Sequence, residues 1–264
     1  MAKREKSAKA EAQATAQVNQ AASELPLYFR EPRLLDRVRH AAATILPAVD
    51  YRFTRDANSV PLNAIEFIEA VKSYPIVFSV GAEPVPVAVL GLEQRNLMVD
   101  GAGQWRTGDY VPAYARQYPF IFMEQAGDDK FYLCVDEAAV QYSEGPAEGG
   151  QPLYDAEGKP TELANHALQF CTQYYQHRRM TQNFCADLVA HALLSPYQTA
   201  FNAPSGRQLQ LSGFQMIDEA AFNALPESVF NEFRSKGWLP FIYLALASTS
   251  NWKRLADLTP ANAS

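Results

Sequence analysis

Apolar and polar positions change rhythm twice along the chain. From Asn63 to Val80, NAIEFIEAVKSYPIVFSV, Ile65, Ile68 and Val71 recur at a spacing of three and Phe67 widens the apolar face. Tyr74-Pro75 then gives way to the unbroken run Ile76-Val77-Phe78. The spacing predicts a short amphipathic helix and the run predicts a strand. Gly108 to Met123, GDYVPAYARQYPFIFM, repeats the plan, with Tyr118-Pro119 ahead of Phe120-Ile121-Phe122. Proline has no N–H and pushes the preceding residue out of the helical region. Each Tyr-Pro therefore reads as a helix stop set directly before a strand. The expected result is two helix–strand units whose strands are neighbours in the core. Two copies are too few for a repeat array.

Around these units the first half reads as β structure. Leu34 to Phe53 is expected to be extended with turns. Val85 to Leu92, Asn96 to Val99 and Lys130 to Val135 each suit a strand, and Asp100-Gly101-Ala102-Gly103 suits a turn back toward Trp105. Asp136-Glu137 ends the last of these strands. Tyr142 to Gly158 carries Gly145, Gly149, Gly150, Gly158, Pro146 and Pro152, which marks it as the segment where a sub-boundary would fall.

Beyond it the rhythm becomes helical. Thr161 to Leu194 contains no Pro or Gly, and Leu163, Ala167, Phe170, Tyr174, His177, Thr181, Phe184, Leu188 and His191 keep a four-three spacing. That predicts one long helix, or two broken near Met180. Tyr197–Asn202 and Gln208–Gln215 suit a hairpin around Ala203–Gly206. Asp218 is placed to cap a short helix over Glu219–Leu225. Pro226 and Gly237 bracket another, with Val229, Phe230 and Phe233 as its apolar face. A last helix is expected from Leu239 to Leu255. The fold class is therefore α+β: a mixed or antiparallel sheet in the first half built on the two units, then a helical second half with one β-hairpin. One domain is expected over 25–258, with a tail over 1–24, which lacks aromatic residues, and another over 259–264.

Composition narrows the function classes. The chain has 264 residues, 48% of them hydrophobic, with a net charge of −6. An acidic balance argues against a nucleic-acid partner, which needs a basic face. No apolar run reaches the ~18 residues of a membrane span; the longest, Trp238 to Ala247, is interrupted by Pro240. The charged start of the tail is not followed by the apolar core of a secretory signal, so a cytoplasmic location is expected. Three cysteines, 37 and 14 residues apart, match no zinc spacing and read as small buried hydrophobes.

Specific chemistry is sparse. His40, His166, His177 and His191 form no His-x-x-x-His pair, and His166 and His177 would lie roughly 16 Å apart along a helix. No metal site and no cofactor is expected. Gly101, Gly103 and Gly108 do not form a phosphate loop, and no Gly-x-Ser-x-Gly elbow occurs. Asp136 and Glu137 stand at a strand end but point to opposite faces, which disfavours joint acid–base work. One aromatic and basic cluster stands out, Trp105, Arg106, Tyr110, Tyr114, Arg116 and Tyr118; from it Trp105, Tyr110, Tyr114, Arg116 and Tyr118 are the site candidates, with Asp136 as a further one. It has the chemistry to hold an anionic or sugar-like ligand, and equally that of a core edge or an interface, because Tyr and Trp bury an apolar body and keep a polar handle.

The order of motifs resembles the bacterial SapC family. Tyr74-Pro-Ile-Val-Phe, Pro86-Val-Ala-Val-Leu-Gly-Leu, Asn96-Leu-Met-Val-Asp, Tyr110-Val-Pro-Ala-Tyr-Ala-Arg-Gln-Tyr-Pro-Phe and Cys134-Val-Asp-Glu carry the likeness. Pro152-Leu-Tyr-Asp-Ala-Glu-Gly-Lys-Pro-Thr and Gly206-Arg-Gln-Leu-Gln-Leu-Ser-Gly-Phe extend it over roughly Leu25 to Leu255. The family name is linked to bacterial surface layers. The resemblance thus implies a surface-layer or envelope role through protein partners, by a route without an N-terminal signal peptide, and is compatible with a homo-oligomer. It transfers no catalytic residues, so enzyme status stays open. The rival expectation is a cytoplasmic enzyme or ligand-binding accessory factor with a pocket near Trp105–Tyr118 and Asp136.

Overall fold

The computed structural model describes residues 25–47, 50–124, 131–202 and 208–260. The tail over 1–24, the turn at Gly127–Asp129 and the hairpin tip at Ala203–Gly206 lie outside them. In chain order the strands are β1 (Pro32–Leu34), β2 (Thr44–Ile45), β3 (Ser59–Pro61), β4 (Ile76–Ser79), β5 (Pro86–Val89) and β6 (Phe120–Glu124). They continue as β7 (Phe131–Asp136), β8 (Tyr142–Ser143), β9 (Gln151–Pro152), β10 (Leu194–Asn202) and β11 (Gln208–Ile217). Helical turns cover Ala64–Glu66, Phe67–Ala70 and Ala113–Arg116 in the first half; Glu162–Ala190, Glu219–Asn223, Glu227–Lys236, Leu239–Ala247 and Asn251–Leu258 follow in the second. The architecture is α+β. Its strands form three antiparallel sheets in the orders β1-β7-β6, β10-β11-β4-β5-β3 and β8-β2-β9.

Both Tyr-Pro pairs precede strands, β4 and β6. These two strands lie in different sheets, however, so they are not neighbours. The Tyr118–Pro119 peptide bond is cis. The first helix also turns its predicted face outward: Ile65 and Ile68 are exposed, while Phe67, Ala64 and Ala70 are buried. A 3-10 turn over Ala64–Glu66 precedes the helical turn, and its tighter winding shifts the register of the stripe. Asn96–Val99 is not a strand; only a Val99–Trp105 bridge remains of it. Asp100 instead closes the turn, its carboxylate accepting from Ala102 N and Gln104 N.

The second half follows its signals more closely. The Glu162–Ala190 helix runs 29 residues without a break, with Thr161 as its N-cap. Asp218 caps Glu219–Asn223 by accepting from Ala221 N at 2.9 Å. Gly237 ends the preceding helix in the left-handed region at φ 78°, where a side chain would be strained. The last helix is two: a 3-10 turn at Ser248–Ser250 splits it, and three consecutive hydroxyls, Ser248, Thr249 and Ser250, donate back to carbonyls of the preceding turn. Beyond its end Thr259 is still buried.

Sheet β1-β7-β6 separates two cores. Ile121 and Cys134 are paired across the sheet and face the large core, which also holds Phe67, Tyr74, Phe78, Phe184 and Phe233. Phe120 and Val135, the next pair, face a smaller core with Ala43, Ile45, Leu153 and Cys171. The two-residue period of strands produces this division. All three cysteines are buried and free.

The altered helix face and the second core have a measurable consequence. Phe120→Ala is expected to cost about 3–5 kcal/mol in urea unfolding, by transfer loss and cavity formation. Ile68→Ala, at an exposed position, is expected to stay within about 0.5 kcal/mol of wild type. A tolerated Phe120→Ala would remove the second core as a stabilising unit.

Candidate functional site

The site begins with a buried acid. Glu66 closes a capping box on Asn63, whose N–H donates to Oε2 at 2.8 Å. Its other oxygen accepts from Ala113 N at 2.8 Å and from the Tyr110 hydroxyl at 2.9 Å. Glu66 thereby pins the start of the second helix–strand unit onto the first. Burial pushes its carboxyl above the ordinary range, and the three donors pull it partway back. Burial likewise pushes Tyr110 up to about 12.

Tyr110 is both donor and acceptor. While donating to Glu66, it accepts from Arg116 Nη2 at 3.1 Å. Arg116 Nε donates to Val111 O at 3.0 Å, and the guanidinium lies over the rings of Tyr110 and Phe170, 5.6 and 5.4 Å from their centroids. Among the described side chains no carboxylate pairs with it. The result is an exposed cation oriented by neutral acceptors and two aromatic faces.

Tyr118 forms the opposite wall. Its ring stacks on Phe53 with centroids 4.1 Å apart, and its hydroxyl donates to Asp136 Oδ2 at 3.2 Å. Burial, then the Asp136 charge, raises the Tyr118 pKa. Asp136 is fully buried and accepts from Arg30 N, Glu31 N and Ala138 N at 3.0, 2.7 and 3.2 Å. It ties the chain before β1 to the end of β7. Glu137 beside it receives Arg39 in a two-pronged ion pair and contacts the buried His40, and Arg39 holds its carboxyl below the usual range.

Arg116 and Tyr118 line a cleft of about 320 Å³ together with Phe53, His166, Phe170 and Gln117. The Asp100–Gly103 turn braces its rim. Tyr51 N donates to Gly103 O, and a Cβ at Gly103 would collide with the Asp50 carboxylate, which Arg52 also holds. A second cleft, of about 600 Å³, is lined by Tyr114, Tyr174, Tyr175, Arg178 and Phe131. Gln117 and Cys171 line both clefts and form the wall between them.

The six sequence candidates therefore separate. Arg116 and Tyr118 meet in the first cleft. Tyr110 orients Arg116 from behind. Tyr114 is buried beside the second cleft, its hydroxyl donating to Leu27 O at 3.0 Å. Trp105 is buried in the large core, donating to the Tyr74 hydroxyl at 3.0 Å. Asp136 supports Tyr118 and three backbone amides. Phe53, Gln117, Phe170 and Arg178 also line the clefts; Gln117 lies inside the Tyr110–Phe120 motif and Phe170 on the helical stripe, but none stands among the sequence candidates. Among the described residues no cluster of His, Cys, Asp and Glu is arranged to hold a metal, and no helix is long and apolar enough to cross a membrane.

Comparison with known proteins gives one relation. The family model SapC matches residues 35–255, most of the chain. No curated protein and no solved structure matches it.

The Glu66 hub has a pH signature. A carboxyl whose folded pKa is raised favours the fold most when protonated, so its contribution is complete below roughly pH 4.3 and is lost as pH rises through the folded value. Glu66→Gln removes that titration and also the acceptor for Asn63 N. The variant is expected to be less stable than wild type at pH 4.5, with the gap narrowing toward pH 8. Urea midpoints across that range check this, and a gap that widens with pH would contradict it.

Proposed function

The chain belongs to the SapC family, and on that footing we propose that it acts by binding a protein partner rather than by catalysing a reaction. The observation that carries the reading is Arg116, an exposed guanidinium held over two rings at a cleft and paired with no described carboxylate. Such a cation is presented to an anionic group from outside. His166 stands exposed on the cleft wall, but the neighbouring carboxylates and thiols support the same reading because they are buried or engaged in holding the fold. Glu66 and Asp136 accept backbone amides, Glu137 is taken by Arg39 and His40, and burial pushes the thiol of Cys134 up to about 11 and those of Cys171 and Cys185 to about 12.

The setting we propose, from the family's association with bacterial surface layers, is surface-layer or envelope biogenesis. The partner's anionic side chains or terminus would meet Arg116, and its apolar groups would meet Phe53, Tyr118 and Phe170. A small anionic ligand in the same cleft, as for an accessory factor or an enzyme, is the second reading; enclosure of the cleft by several aromatic walls favours it.

Affinity purification from the native host, with mass spectrometry of copurifying proteins and small molecules, separates the two. Arg116→Ala is expected to lose the bound protein at least tenfold while keeping the wild-type melting temperature, since Arg116 is exposed and makes only neutral hydrogen bonds. A small molecule lost in place of a protein would transfer the site to the second reading. Unchanged copurification would sink both.

A further inference from the structure

One face of the Glu162–Ala190 helix runs through both clefts. His166, Phe170 and Cys171 line the first; Cys171, Tyr174, Arg178 and Gln182 line the second. Apart from the adjacent pair Phe170-Cys171, spacings of three and four keep them on a single side of the helix. From His166 to Gln182 the stripe climbs sixteen residue steps, or roughly 24 Å of rise. Each cleft contributes one arginine: Arg116 in the first, Arg178 in the second. Among the described side chains no carboxylate pairs with either. Asp50, the acid on the rim of the first cleft, is already held by Arg52.

Between the clefts stands Gln117. It is 4% exposed, and its side-chain Nε2 has no hydrogen-bond partner. Its backbone is fully used, the N–H donating to Ala113 O and the carbonyl accepting from Phe120 N, so only the side-chain amide is left over. A buried amide without a partner costs free energy, and native structures keep few of them without a reason. A primary amide offers donors and an acceptor, the same complement that a peptide group presents in return.

We infer that the two clefts form one site for an extended peptide segment of the partner, about seven residues long at roughly 3.3 Å per residue, with an acidic residue near each end. Aromatic or aliphatic side chains of the segment enter the clefts on either side of Gln117, whose amide meets the segment's backbone at the midpoint. Arg116 and Arg178 take the two acids. The inference rests on the binding reading above and gives it a ligand class. The chain's own first 24 residues are a poor occupant: the described chain begins beside the second cleft, where Pro26 and Leu27 line it, but that preceding stretch carries Lys3, Arg4, Lys6 and Lys9 and no aromatic residue. Glu5, Glu11 and Glu24 offset all but one of those charges, so what the stretch lacks is an aromatic side chain to enter either cleft.

Selection of a random heptapeptide phage library on the full-length protein, then fluorescence anisotropy with the enriched peptides, tests the site. Enriched sequences are expected to carry Asp or Glu toward both ends with aromatic or aliphatic residues between, and to bind more weakly as salt is added. Arg178→Gln is expected to weaken binding about tenfold. Gln117→Leu, a replacement of similar volume that removes the unpaired amide, is expected to weaken binding similarly while melting at or above the wild-type temperature. No enrichment, enrichment without acidic residues, or unchanged affinity in Arg178→Gln or Gln117→Leu would overturn the two-cleft site. Weakening by Arg116→Ala alone would leave the single-cleft reading standing and this inference overturned. Peptide binding indifferent to Arg116→Ala would remove both.

Discussion

A carboxylate removed from water is tolerated only where donors surround it. Glu66 meets that requirement by drawing on its own Asn63 turn and on the Ala113 amide, 47 residues further along the chain. The same carboxylate receives the Tyr110 hydroxyl, and Tyr110 receives Arg116. The orientation of the cleft's cation therefore derives, two hydrogen bonds away, from the need to satisfy a buried acid. Asp136 does the corresponding work from the other side, holding Arg30 N, Glu31 N and the Tyr118 hydroxyl. Between these two acids the cleft has little freedom to change shape. Neither acid is spare for chemistry, since each is committed to backbone amides.

Much of the fold was legible because its signals are local. The capping aspartate at 218, the left-handed glycine at 237, the Tyr-Pro stops and the uninterrupted run from Thr161 depend on nearest neighbours along the chain, and they appear where expected. The misreadings arose where a local pattern met a tertiary choice. Ile65 and Ile68 have the right spacing for a core face, but the preceding 3-10 turn and the larger Phe67 turn that face toward solvent. The last helix lacks any Pro or Gly at its break. Its signal is the Ser248-Thr249-Ser250 run, where hydroxyls compete for backbone carbonyls. The separate sheets of β4 and β6 could not be read at all, since each is completed by a strand far away in sequence: β11 beside β4, and β1 beside the β6–β7 pair.

The candidate site divides in the same way. Arg116 and Tyr118 were recognisable from residue type and proximity. Trp105, Tyr114 and Asp136 have equally suitable chemistry, but burial commits them to Tyr74, Leu27 and the Arg30–Glu31 amides. Gln117 lies within the Tyr110–Phe120 motif, but its residue type alone did not single it out. Its meaning lies in a hydrogen bond that is not made, which is a property of the surrounding volume and of no motif. Phe170 and Arg178 were hidden within a helix whose spacing read as ordinary core.

The five-stranded sheet places β4 at its centre, paired on one side with β5 and on the other with β11 through Ser79–Phe214 and Phe78–Gln215. Ser79 and Gln215 are 136 residues apart. On a ribosome adding about 5–20 residues per second, β4 emerges roughly 7–27 s before its second neighbour exists. During that interval Phe78-Ser79, at the end of an apolar strand, offers an open edge of the kind that recruits other chains. Newly made molecules are thus most vulnerable to one another before the hairpin arrives, and a product truncated ahead of Phe214 would keep that edge open for its whole lifetime.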